Sequence, residues 1–178
     1  MKRYQGFSLV ELMVVLTIAA LLLALAVPSF KQTIQKGRIT NSVNSFMADM
    51  RFTRSEAIRR SVNVVICRSN APEATTPACD GNTSASKGWA TGWVIYYLND
   101  DGSKRVLRVQ SPISSVDSVI EASSPSYKFS FNATGRLPGA TTTINFGSTD
   151  FPAEIQRTVC VSVGGRVRVA GDGLASCS

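Results

Sequence analysis

The sequence predicts an α+β protein, with one long N-terminal α-helix packed on a small antiparallel β-sheet domain. Three observations predict it. An apolar block fills residues 12–27 and is broken by Thr17 alone. Helical periodicity then runs on to Arg60: Val43, Phe46, Met47, Met50, Ala57 and Ile58 recur at spacings of three and four and make one apolar face. Past Arg60 the pattern turns to short β-rich runs punctuated by Gly, Asn, Asp and Pro.

The helix is expected over residues 8–60, with its first half apolar enough for a membrane and its second half packed on the domain. Pro28 and Gly37 are expected to mark a kink or a softened turn. The Met and Phe stripe reads as core. Arg51, Arg54, Arg59 and Arg60 fall mainly off that face, and Arg59-Arg60 read as a solvated helix end favoured by the helix dipole.

Strands are expected at 62–67, 93–98, 105–109, 116–121, 127–131, 142–146, 157–163 and 166–169, with 70–87 a loop. Asn99-Asp100-Asp101-Gly102 is a hairpin turn signal, and Gly164-Gly165 reads as a two-residue hairpin link. Trp89, Trp93, Tyr96 and Tyr97 read as core in preference to stacking surfaces for single-stranded nucleic acid.

The chain has 178 residues, a formal net charge of +7 and no histidine. The charge favours anionic partners. The missing histidine removes His triads, His general bases and His metal sites. No Gly-x-Ser-x-Gly and no phosphate-binding loop occurs, and Asp100-Asp101 are explained by their turn, so the reading is a non-enzyme without cofactor or metal. The four cysteines, Cys67, Cys79, Cys160 and Cys177, form no Cys-x-x-Cys pair. An even count in an exported chain reads as disulfides, and three pairings are possible. Cys67–Cys79 and Cys160–Cys177 are favoured because each closes a short loop, worth about 3 kcal/mol in the chain-entropy model.

Residues 1–30 admit three readings. Lys2-Arg3 and Ala24-Leu25-Ala26 suit a secretory signal, but Glu11 stands where its apolar core should begin and the apolar run is long. Residues 7–30 suit a plain membrane anchor, which leaves Glu11 unexplained. A lone carboxylate at the centre of a membrane helix costs about 2.5–3.5 kcal/mol on insertion scales, and less near its end. The third reading accounts for the acid. The string Lys2-Arg3-Tyr4-Gln5-Gly6-Phe7-Ser8-Leu9-Val10-Glu11-Leu12-Met13 resembles the class III signal of type IV pilins and type II secretion pseudopilins.

That resemblance implies cleavage by a prepilin peptidase between Gly6 and Phe7 and N-methylation of Phe7. It also implies pairing of Glu11 with the N-terminal amine of a neighbouring pilin subunit. Loss of Lys2 and Arg3 with the leader would lower the formal charge from +7 to about +5. The implied organisation is a leader at 1–6, a transmembrane and filament-core helix at 7–30, its amphipathic half at 31–60 and a globular β-domain at 61–178. The chain would be a single-pass inner-membrane protein with a periplasmic domain before assembly, and a cell-surface pilus subunit after it.

The layout further resembles FimT/GspH-type minor pilins. Phe131-x-x-x-Gly135-x-Leu137 is similar to a segment of that group, and Gly165-Arg166-Val167-Arg168 resembles the Gly-Arg-x-Arg motif of FimT-type pilins that take part in DNA uptake. The second resemblance implies that Arg166 and Arg168 contact double-stranded DNA during natural transformation. Strand residues two apart share a face and lie about 6.6 Å apart, so the two guanidiniums can grip phosphates without reading sequence. Val167 and Val169 are expected to anchor the strand in the core. Arg157 and Arg136 are expected to extend the patch, ahead of Lys104, Arg105 and Arg108. The bland alternative is an edge strand charged to prevent pairing. Two further alternatives are a structural minor pilin that primes assembly and a minor pseudopilin of a type II secretion system.

Overall fold

The computed structural model describes residues 8–81, 88–113, 118–121, 127–139, 141–147, 151–172 and 177, with backbone alone at 25–29, 118–121 and 172. The expected cleavage point at Gly6 and Phe7 lies outside them. The chain divides into two compact units, Met1–Gln35 and Lys36–Ser178.

The first unit holds the start of helix α1 (Leu9–Arg60). Ser8 and Glu11 form a reciprocal cap there: the Glu11 N–H donates to Ser8 Oγ at 3.2 Å and the Ser8 N–H to Glu11 Oε2 at 3.4 Å. Thr17, the polar residue within the apolar block, donates its hydroxyl to the Met13 carbonyl at 2.8 Å, so its polar group is not left bare. The described side chains from Leu9 to Ala24 are exposed. Among the described residues no helix is long and apolar enough to cross a membrane.

The expected kink or softened turn at Pro28 and Gly37 does not end the helix. α1 runs unbroken through Pro28 and Gly37.

Among the described residues of the second unit α1 meets eight strands: β1 (Val64–Arg68), β2 (Trp93–Leu98), β3 (Lys104–Gln110), β4 (Ser118–Glu121), β5 (Lys128–Phe131), β6 (Thr142–Gly147), β7 (Arg157–Val161) and β8 (Val167–Asp172). They form two antiparallel four-stranded sheets, ordered β3-β2-β1-β5 and β4-β6-β7-β8, where a single small sheet was expected. The division follows from burial. Val64 and Ile66 of β1, Trp93 and Ile95 of β2, Phe129 and Phe131 of β5, Ile144 and Phe146 of β6, and Val159 and Val161 of β7 enter one core with Ile39, Val43, Phe46, Met50 and Ala57 of α1. Two sheets give that helix face more apolar partners than one sheet could.

Phe46 makes edge-on contacts with Trp89 and Trp93 at centroid distances of 5.3 and 5.4 Å. Both tryptophans are fully buried, as expected of core. Ile58 departs from the expected stripe and is half exposed. Asp49 is buried on the helix, where it accepts the Trp93 indole N–H at 2.8 Å and an Arg108 N–H at 2.5 Å. That pairing commits Arg108 to the fold. Both favoured disulfides are present, Cys67–Cys79 and Cys160–Cys177, with Cα separations of 5.5 and 5.6 Å.

Candidate nucleic-acid interface

The Gly165–Arg168 segment begins in a turn and ends in a strand. The Gly165 N–H donates to the Ser162 carbonyl at 2.8 Å, and the Ser162 N–H to the Arg166 carbonyl at 3.0 Å. These bonds close a three-residue loop, Val163-Gly164-Gly165, with Gly165 left-handed at φ 75°. The expected two-residue Gly-Gly link is thereby corrected. The Ser162 hydroxyl bonds both the N–H and the carbonyl of Arg166 at 3.3 Å and fixes the turn from inside.

The same turn occurs at Asn132–Arg136. The Gly135 N–H reaches the Asn132 carbonyl at 2.8 Å, the Asn132 N–H reaches the Arg136 carbonyl at 3.0 Å, and Gly135 has φ 71°. The Asn132 carboxamide oxygen also accepts the N–H groups of Thr134 and Arg136, at 3.1 and 2.9 Å. The two turns lie against each other: the Leu137 N–H donates to the Val163 carbonyl at 2.9 Å, and a β-carbon on Gly165 would collide with the Gly135 carbonyl oxygen. Arg136 and Arg166 hold equivalent places, each one residue after its left-handed glycine, and both are exposed.

Arg168 lies in β8, the edge strand of its sheet, opposite Cys160. It is exposed, as is Arg166. Val167 is buried between them as expected. Val169 is more than a third exposed, so only one of the two valines anchors the strand, because a sheet edge leaves its outer positions uncovered. Arg157 is also corrected. It lies in line with Val159 and Val161, opposite the face that Cys160 shares with Arg168. It is buried, and its Nη1 donates to the Glu154 and Gln156 carbonyls at 3.1 and 2.9 Å. It braces the chain entering β7 and is not part of the exposed patch.

The helix supplies residues that sequence reasoning passed over. Arg51, Arg54, Ser55 and Ile58 wall one side of a groove of about 300 Å³, and Gly165, Arg166 and Val167 wall the other. Arg54 reaches across, with its Nη1 3.4 Å from the Gly165 carbonyl oxygen. The signal was the i, i+3, i+4 spacing of Arg51, Arg54 and Ser55, which places them on one helix face. Nothing in the sequence said that this face meets the glycine turns. Arg59 and Arg60, farther along, both bond Glu56, at 2.6 and 2.7 Å. Those hydrogen bonds, Arg59's first, hold the Glu56 carboxyl below its ordinary pKa.

The sequence model described as "Type II transport protein GspH" matches residues 42–165, more than half of the chain. The chain belongs to the GspH family. The prokaryotic N-terminal methylation motif matches residues 1–27. Among solved structures, the chain is similar to the type IV minor pilin FimU of Pseudomonas aeruginosa in two crystal forms. In one the TM-score is 0.60 at 20% identity, covering 80% of this chain and 96% of that one. In the other it is 0.57 at 20% identity, covering 78% and 99%. At that identity the likeness establishes the fold: a long N-terminal helix with antiparallel sheets. No curated protein matches the chain in sequence. This GspH-family chain thus pairs a methylation-type N-terminus with a minor-pilin fold.

Proposed function

We propose that this GspH-family chain is a minor type IV pilus subunit that binds double-stranded DNA through its phosphate backbone, independently of sequence, for uptake in natural transformation. The observation that carries the reading is the joint exposure of Arg166 and Arg168 around the buried Val167. Edge protection accounts for Arg168, which lies in an edge strand. It does not account for Arg166, which closes a turn ahead of that strand. Arg136, on the matching turn, adds a third guanidinium to the same end of the domain.

In this reading a prepilin peptidase cuts between Gly6 and Phe7, Phe7 is methylated, and Glu11 pairs with a neighbouring subunit's amine during assembly. The chain sits in the inner membrane with its β-domain in the periplasm, then joins the pilus. It works by binding alone, without catalysis, cofactor or metal.

The test is a DNA titration of the fragment Lys36–Ser178, its fold verified by near-UV circular dichroism, beside its Arg166→Ala/Arg168→Ala variant at two salt concentrations. The expected result is salt-sensitive binding that the variant loses. Folded protein that binds no DNA would support the second reading, a type II secretion pseudopilin or a structural minor pilin, which the GspH family description favours.

A further inference from the structure

We infer that helix α1 forms half of the DNA site, with Arg51 a phosphate-binding residue and Arg54 a positioning residue. This inference rests on the DNA-binding reading above. The groove has two walls from segments far apart in sequence, α1 and the Gly165–Val167 turn. Arg51 is exposed on the helix wall and Arg166 on the turn wall, so a phosphate group between them meets a guanidinium from each side. Among the described residues, no acidic side chain walls the groove.

Arg54 acts differently. It is half buried, and its side chain lies over the seam between the two glycine turns. A β-carbon on Gly135 would come within 3.0 Å of its Nε, and one on Gly165 within 3.4 Å of its Cδ. Its Nη1 meets the Gly165 carbonyl oxygen, the last backbone acceptor before Arg166. The bond occupies one of five guanidinium N–H groups. Arg54 therefore fixes where Arg166 emerges and adds positive charge to the groove floor.

The test uses the full chain in non-ionic detergent micelles and a fluorescent DNA duplex, read by anisotropy across a salt series. Arg51→Ala is expected to keep the wild-type thermal midpoint, weaken binding about three- to tenfold and lower the salt slope by about 1. Arg51→Lys keeps the slope. Arg54→Lys keeps the charge but loses the planar fork, so affinity falls while the slope stays. If Arg51→Ala matches wild type in affinity and slope while Arg166→Ala/Arg168→Ala loses binding, the helix contact is overturned and the DNA reading stands. A weaker Arg51→Ala complex with an unchanged slope also overturns the contact. Wild-type protein that binds no DNA overturns both.

Discussion

The carbonyl oxygen of Gly135 occupies the place a β-carbon on Gly165 would need. Gly165 is thus constrained twice, by a left-handed φ of 75° and by this contact. Gly102, in the β2–β3 turn, has a similar φ of 79° but open space around it. Gly102→Ala should cost only the left-handed penalty, about 1–2 kcal/mol. Gly165→Ala should cost about 2–4 kcal/mol, since overpacking adds to it. Urea unfolding of the two variants checks this, and equal losses would mean that the seam yields to the added methyl.

Cys160, the cross-strand neighbour of Arg168, is bonded to Cys177. Cys177→Ser should lower stability by about 3 kcal/mol in the chain-entropy model and leave the core folded. DNA affinity should fall as well, because the bond fastens Cys177 to Cys160, the residue paired with Arg168. Unchanged affinity in a folded Cys177→Ser protein would remove the disulfide from any role in presenting the arginines.

Asp49 holds two partners of unlike kind. The Trp93 indole is buried, whereas Arg108 is 46% exposed and keeps access to water. Asp49→Asn retains an acceptor for the indole and should cost about 1 kcal/mol, the worth of a half-solvated pair. Asp49→Ala strands the indole N–H and should cost about 2–4 kcal/mol. Denaturant midpoints decide between this and a pair in which only charge matters, where the two variants would lose equally.

Glu56 couples stability to pH. Its folded pKa is depressed, chiefly by the Arg59 hydrogen bonds and next by those of Arg60. A depressed carboxyl contributes fully above its unfolded value of about 4.3, and the contribution fades as pH falls through the lower folded value. Glu56→Gln should therefore melt below wild type at pH 7, with the gap narrowing as pH falls below the unfolded carboxyl value. A gap that is constant with pH would assign the stabilisation to something other than the carboxylate charge.

Glu11 has a local partner in Ser8 as well as the proposed intersubunit one. Glu11→Val should insert in the membrane and enter pili poorly. Glu11→Gln is the sharper variant, because an amide oxygen preserves the cap while removing the charge. Pilus incorporation measured for both should be equally poor if the carboxylate pairs with an amine. Normal incorporation of Glu11→Gln would reduce Glu11 to a helix cap.

Much of the fold was legible because it depends on local chemistry. The apolar stripe from Val43 to Ala57 repeats with the helical period, and all eight strands appear near their expected places. The bounds depart at the ends of ladders. Val62 falls before the first ladder pair of β1, Arg166 belongs to the turn ahead of β8, and β8 runs on to Asp172. Ladder pairing is a property of two strands together, and one strand's residues do not fix its last pair.

The sequence by itself determined the helix, the strand pattern, the methylation-type N-terminus and the four cysteines that pair. The tertiary structure decided the rest. It split the strands into two sheets, turned Arg157 inward, seated Gly165 on Gly135 and brought Arg51 and Arg54 against a turn 111 residues beyond Arg54. The physical reason is range. Periodicity, turn chemistry and capping act within a few residues, so one stretch of chain displays them. A groove between a helix and a distant turn exists only after the core has packed, and no residue in either wall carries a mark of the other.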